Sequence, residues 1–168
     1  MSGPESLNAE MLETLMDESI SKDPMDRARA VSALYTELDS QGKGDFGHVL
    51  RRWLRDRNLV GHAAFIIGDA NICDMQEDLL SVLVFEGHLF GQAVLSLEKV
   101  GYVIRSYDDM VAFLKRAQAV TAREKRDLIE LISDLKIAPT LTRTQKLDAT
   151  KQAWGIAVRP RRWLRLPF

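Results

Sequence analysis

Three carboxylates, Asp69, Glu86 and Asp108, each stand at or just beyond the end of a short apolar run. Asp69 follows Phe65, Ile66, Ile67 and Gly68. Glu86 closes the run Val82 to Phe85, and Asp108 comes shortly after Tyr102, Val103 and Ile104. If the three runs are neighbouring parallel strands, their acids meet at one crevice, because open α/β sheets bind ligands beyond the carboxyl ends of their strands. Three hard oxygen donors suit Mg²⁺, and the chemistry would be nucleic-acid cleavage or phosphoryl transfer. A plainer assignment competes and is preferred: Asp69, Asp74 and Asp109 cap helices or loops, and Glu86 is a solvated turn residue. Catalysis with Mg²⁺ at these acids is therefore the alternative, and no cofactor is expected.

Other reactive types are sparse. His48, His62 and His88 lack ligand spacing and have no cysteine cluster beside them. Asp39 to Leu50 brushes against a calcium loop, but Lys43 fills its fifth position and Leu50 the twelfth, where a bidentate Glu is needed. No serine sits in a nucleophile elbow and no glycine run cradles phosphate. Cys73 is alone, so no internal disulfide forms; it is expected to be a small buried apolar residue.

Charge gives the clearest signal. From Arg143 onward seven basic residues face one acid, Asp148, so this segment carries +6. The whole chain carries −1, which leaves −7 on residues 1–142. Arg143, Lys146, Lys151, Arg159, Arg161, Arg162 and Arg165, with Trp154, Trp163 and Phe168 among them, combine cations with flat stacking surfaces. Single-stranded nucleic acid offers phosphates to the first and bases to the second. A tail of this kind can equally dock on a partner protein or fold back on the acidic body.

The elements that must position these groups fall into two styles. Residues 1–60 read as helices. Leu7, Met11, Leu12, Leu15, Met16 and Ile20 recur at helical spacing, and Asp23-Pro24 opens a second helix bearing Ala28, Val31, Leu34, Tyr35 and Leu38. Ser40 to Asp45 reads as a break, with a third helix from Phe46. Residues 61–120 read as strand, connection, strand, helix, strand, helix, with strands at His62–Gly68, Ser81–Gly87 and Tyr102–Ser106. Gly101 suits a helix C-cap, and Ser106 with Asp109 suits an N-cap. Two further helices are expected, over about Thr121–Lys136 and over 142–154. The predicted fold is α/β: a small, mainly parallel sheet covered by helices in a single domain over 1–136, with a helical N-terminal third and a basic, partly flexible tail over 137–168.

Several local likenesses follow from those residues. Phe65 to Ile72 resembles the opening strand and Asp-x-Asn of PIN-type nucleases, which implies Asp69 as a metal acid. Val82 to Gly87 resembles the strand-Glu-Gly of Toprim domains, which implies the same of Glu86. Asp78 to Ser106 is similar to the opening strand, helix, glycine and strand of BRCT domains, and so implies a protein-interaction role. The whole plan, in its length, α/β core and basic C-terminus, resembles the small inner-capsid assembly and packaging protein of cystoviruses. That resemblance implies capsid subunits and RNA as partners.

Taken together, the expected function is a non-enzymatic assembly factor or adaptor. Its folded part binds a protein partner or a second copy of itself, and its basic tail reaches RNA or DNA. No apolar run approaches the length of a membrane span. The N-terminal residues lack a secretion signal, and one cysteine suits a reducing compartment, so the cytoplasm or a virion interior is expected rather than secretion.

Overall fold

The computed structural model describes residues 7–18 and 23–156. Among these residues every regular element is helical: α1 (Ala9–Asp17), α2 (Pro24–Tyr35), α3 (Ser40–Trp53), α4 (Val60–Asp69), α5 (Gln76–Ser81), α6 (Gly87–Lys99), α7 (Tyr107–Leu114), α8 (Ala122–Asp134) and α9 (Arg143–Trp154). Single 3₁₀ turns lie at Cys73–Met75 and Val82–Val84. The expected α/β fold is thus corrected to an all-helical one, with no strand among the described residues.

Each expected strand fails for its own reason. His62–Gly68 lies inside α4, where Val60, Ala63, Ala64, Ile66, Ile67 and Gly68 are all buried. A helix covered on most sides is apolar on most sides, so its short core run carries no period that separates it from a buried strand. Ser81–Gly87 ends α5, makes one 3₁₀ turn, extends at Phe85 and Glu86 and opens α6. Tyr102–Ser106 is a connector without regular structure. Its Ile104 N–H donates to the Ile137 carbonyl at 2.8 Å, one rung without a ladder. The BRCT-like segment keeps its helix, α6, and its glycine, Gly101 at φ 75°, but has neither flanking strand. The α/β core that supported the cystovirus resemblance goes with the sheet.

Capping chemistry set many of the boundaries. Asp23 accepts from Met25 N–H with Pro24 in the first turn of α2, and Ser106 accepts from Asp109 N–H. Thr121 with Glu124, and Thr142 with Gln145, form reciprocal capping boxes. The expected break at 40–45 is instead the first turns of α3. Asp39 accepts from Gly42 N–H at 2.6 Å and nucleates the helix through Gly42, Gly44 and Gly47. Burial of Phe46, Leu50 and Trp53 outweighs the helix cost of those glycines, about 1 kcal/mol each.

α4 stands at the centre, packed on α2, α3 and α6. At one end α1 lies on α2 and α3; at the other α9 lies on α7 and α8. Trp154 of α9 meets the Phe90 ring of α6 edge-on at 5.9 Å, so the packed core runs past residue 136. Cys73, expected to be buried, is exposed, with Sγ 3.3 Å from Asn71 Oδ1.

Candidate functional site

The three acids do not share a site. Asp69 ends α4, where it accepts a 2.5 Å hydrogen bond from Ser32 Oγ of α2 and lies 3.9 Å from Lys99 Nζ. Glu86 occupies the N-cap position of α6 and pairs with Arg57 Nη2 at 2.9 Å. Lys99 and Glu86 sit at opposite ends of α6, and thirteen helical residues span about 20 Å. Asp69 and Glu86 are therefore too far apart to bind one cation. Asp108 is exposed in the first turn of α7. No group of three or more His, Cys, Asp or Glu among the described residues could hold a metal ion. The Mg²⁺-dependent reading is thereby left without its geometry.

The basic residues divide into two groups. Arg143 is exposed, but its Nε donates to Asp134 Oδ1 at 2.7 Å and its Nη2 pairs with Glu130. The hydrogen bond and charge of Asp134, then those of Glu130, hold its guanidinium pKa above the usual value. Lys146 is buried, with Nζ donating to the Leu135 carbonyl at 2.5 Å. It thus satisfies a carbonyl at the end of α8, where a cation also complements the helix dipole. Lys151 is half-buried in the last turn of α9. Trp154 is buried and its Nε1–H donates to the Leu114 carbonyl at 2.9 Å. Arg159, Arg161, Arg162, Trp163 and Arg165 lie outside the described residues.

A surface that sequence reading passed over lies on α1. Residues 12 and 16 face inward. One position back on the same spacing, Leu7, Met11 and Leu15 form a second stripe, with Met11 39% exposed. With Leu12 and Leu34 they floor an open groove of about 720 Å³, rimmed by Asn8, Glu10, Thr14 and Glu18. The signal was present: with Leu7 just ahead of it, α1 carries Met11, Leu12, Leu15 and Met16, more apolar side chains than one buried face can use. A smaller cleft of about 260 Å³ lies between Arg57, His62, His88 and Gln92. His62 Nδ1 is buried with no hydrogen-bond partner among the described residues.

No described helix is long and apolar enough to cross a membrane. Comparison of the chain with protein-family models, curated proteins and solved structures finds no match, so the residues and their arrangement alone carry the functional argument.

Proposed function

We propose that the chain is a non-enzymatic adaptor, with a helical body that binds protein and a basic segment, residues 157–168, that contacts single-stranded nucleic acid. The observation that carries this reading is the composition of residues 157–168, set beside the internal partners of the basic residues that precede them. Arg143 and Lys146 are engaged by Asp134, Glu130 and the Leu135 carbonyl. Arg159, Arg161, Arg162 and Arg165 fall within twelve residues that contain no acid and that include Trp163 and Phe168. This segment carries +4, which leaves −5 on residues 1–156. Four phosphate contacts would give a salt slope of roughly −3 for a single strand. Stacking on Trp163 would add about 1–3 kcal/mol per base.

Fluorescence anisotropy with a labelled single-stranded RNA tests this. The full chain should bind in a salt-dependent way, and a chain ending at Ile156 should not. Arg143→Ala should leave the affinity nearly unchanged. Equal binding by the shortened chain would remove the assignment. No binding by the full chain at about 0.1 M salt would leave a purely protein-binding adaptor.

A further inference from the structure

We propose that the α1 groove is a docking site for residues 157–168 of a second copy of this chain. The floor of the groove is apolar and its rim is acidic. Residues 7–18 hold Glu10, Glu13, Asp17 and Glu18 and no base. Glu13 pairs with Arg52. Glu10, Asp17 and Glu18 have no ion pair among the described residues. The occupant needs the opposite character: apolar side chains for the floor and cations for the rim. Residues 161–168 supply Trp163, Leu164, Leu166 and Phe168 interleaved with Arg161, Arg162 and Arg165. Burying such aromatic and leucine side chains against the floor removes apolar surface from water on both sides of the contact. Complementary charge steers the encounter and sets its salt dependence.

The order of packing favours a second copy over the chain's own segment. Helix α1 packs on α2 and α3, whereas α9, the last described helix before residues 157–168, packs on α7 and α8. If residues 161–168 fill the groove, only 157–160 remain as a tether, and four residues reach about 14 Å. A neighbouring molecule meets no such limit. The groove and nucleic acid then compete for the same segment; the docking itself does not depend on the nucleic-acid reading.

The test is self-association of the full chain by sedimentation velocity at low salt, without nucleic acid. Wild type should associate with rising concentration, and added salt should weaken the association. Two variants should be monomeric: M11K/E18K, which reverses the groove, and a chain ending at Ile156, which lacks the segment. Mixing those two should restore a complex, since one supplies the segment and the other the groove. A monomeric wild type, an M11K/E18K chain that associates like wild type, or a mixture that stays monomeric would each overturn the proposal. A monomeric wild type whose residues 157–168 are nonetheless protected from proteolysis by the groove would assign the contact to the chain's own segment and equally overturn it. RNA affinity is measured separately: association without RNA binding would sink the nucleic-acid reading alone.

Discussion

Gly68 and Ser96 leave no space between α4 and α6: a Cβ added to Gly68 would lie 2.8 Å from Ser96 Cα. Ser96 Oγ also donates to the Ala64 carbonyl at 2.6 Å, which locks the same crossing. Gly68→Ala must therefore push the two helices apart and should destabilise by about 1–3 kcal/mol. Gly44, on the exposed side of α3, has nothing within 4 Å of its added Cβ. Gly44→Ala should stabilise by about 0.5–1 kcal/mol. Chemical denaturation of the two variants reads opposite signs from the same substitution, and equal signs would contradict the packing described.

Trp154 anchors α9, the last described helix, to the core. Its ring is buried against Phe90, and its Nε1–H satisfies the Leu114 carbonyl. Trp154→Phe should cost about 1–2 kcal/mol through the lost hydrogen bond and the carbonyl left unpaired. Trp154→Ala should cost about 3–5 kcal/mol. Both should shift the denaturation midpoint while leaving RNA affinity of the folded protein near wild type. A large loss of affinity without loss of stability would place Trp154 in the nucleic-acid contact instead.

Asp69 joins α4 to Ser32 of α2, and Lys99 approaches it from α6. Asp69→Asn should lower stability by about 1 kcal/mol or less, because the carboxylate is 40% exposed and its ion pair with Lys99 is long. The thermal midpoint of wild type should be the same with Mg²⁺ or with a chelator. A Mg²⁺-dependent rise abolished by Asp69→Asn would restore the metal reading.

Glu124 accepts hydrogen bonds from the backbone and side chain of Thr121, and it also lies against Gly87 N–H at the start of α6. These contacts, Thr121 first, with the charge of His88 a lesser cause, hold its pKa below the ordinary 4.5. A carboxylate whose folded-state pKa is depressed stabilises the fold above the unfolded value, and that contribution fades as pH falls through the folded one. Glu124→Gln should therefore lower the denaturation midpoint at neutral pH, with the gap to wild type closing below pH 4.5. Gly87→Ala, whose Cβ would meet the Glu124 side chain at 2.6–2.9 Å, should disturb the same contact. A gap that persists unchanged into acid would show that the charge of Glu124 is immaterial.

The sequence by itself determined the helix starts written in local chemistry: Asp23-Pro24, Ser106, Thr121 with Glu124 and Thr142 with Gln145 act within one turn of backbone. The glycine stop at Gly101, and the concentration of positive charge after Arg143, are equally local. Tertiary structure decided the rest. Whether residues 62–68 are strand or helix depends on what surrounds them, since an apolar run buried on most sides has no period to read. Whether Asp39–Asp45 is a turn or a first helical turn depends on the burial of Phe46 and Leu50 that follows. The fates of Arg143, Lys146 and Trp154 were invisible for the same reason: their partners, Asp134, Leu135 and Leu114, come from α8 and from the end of α7. Spacing along the chain places a residue on its own helix; only packing between helices says what that residue touches.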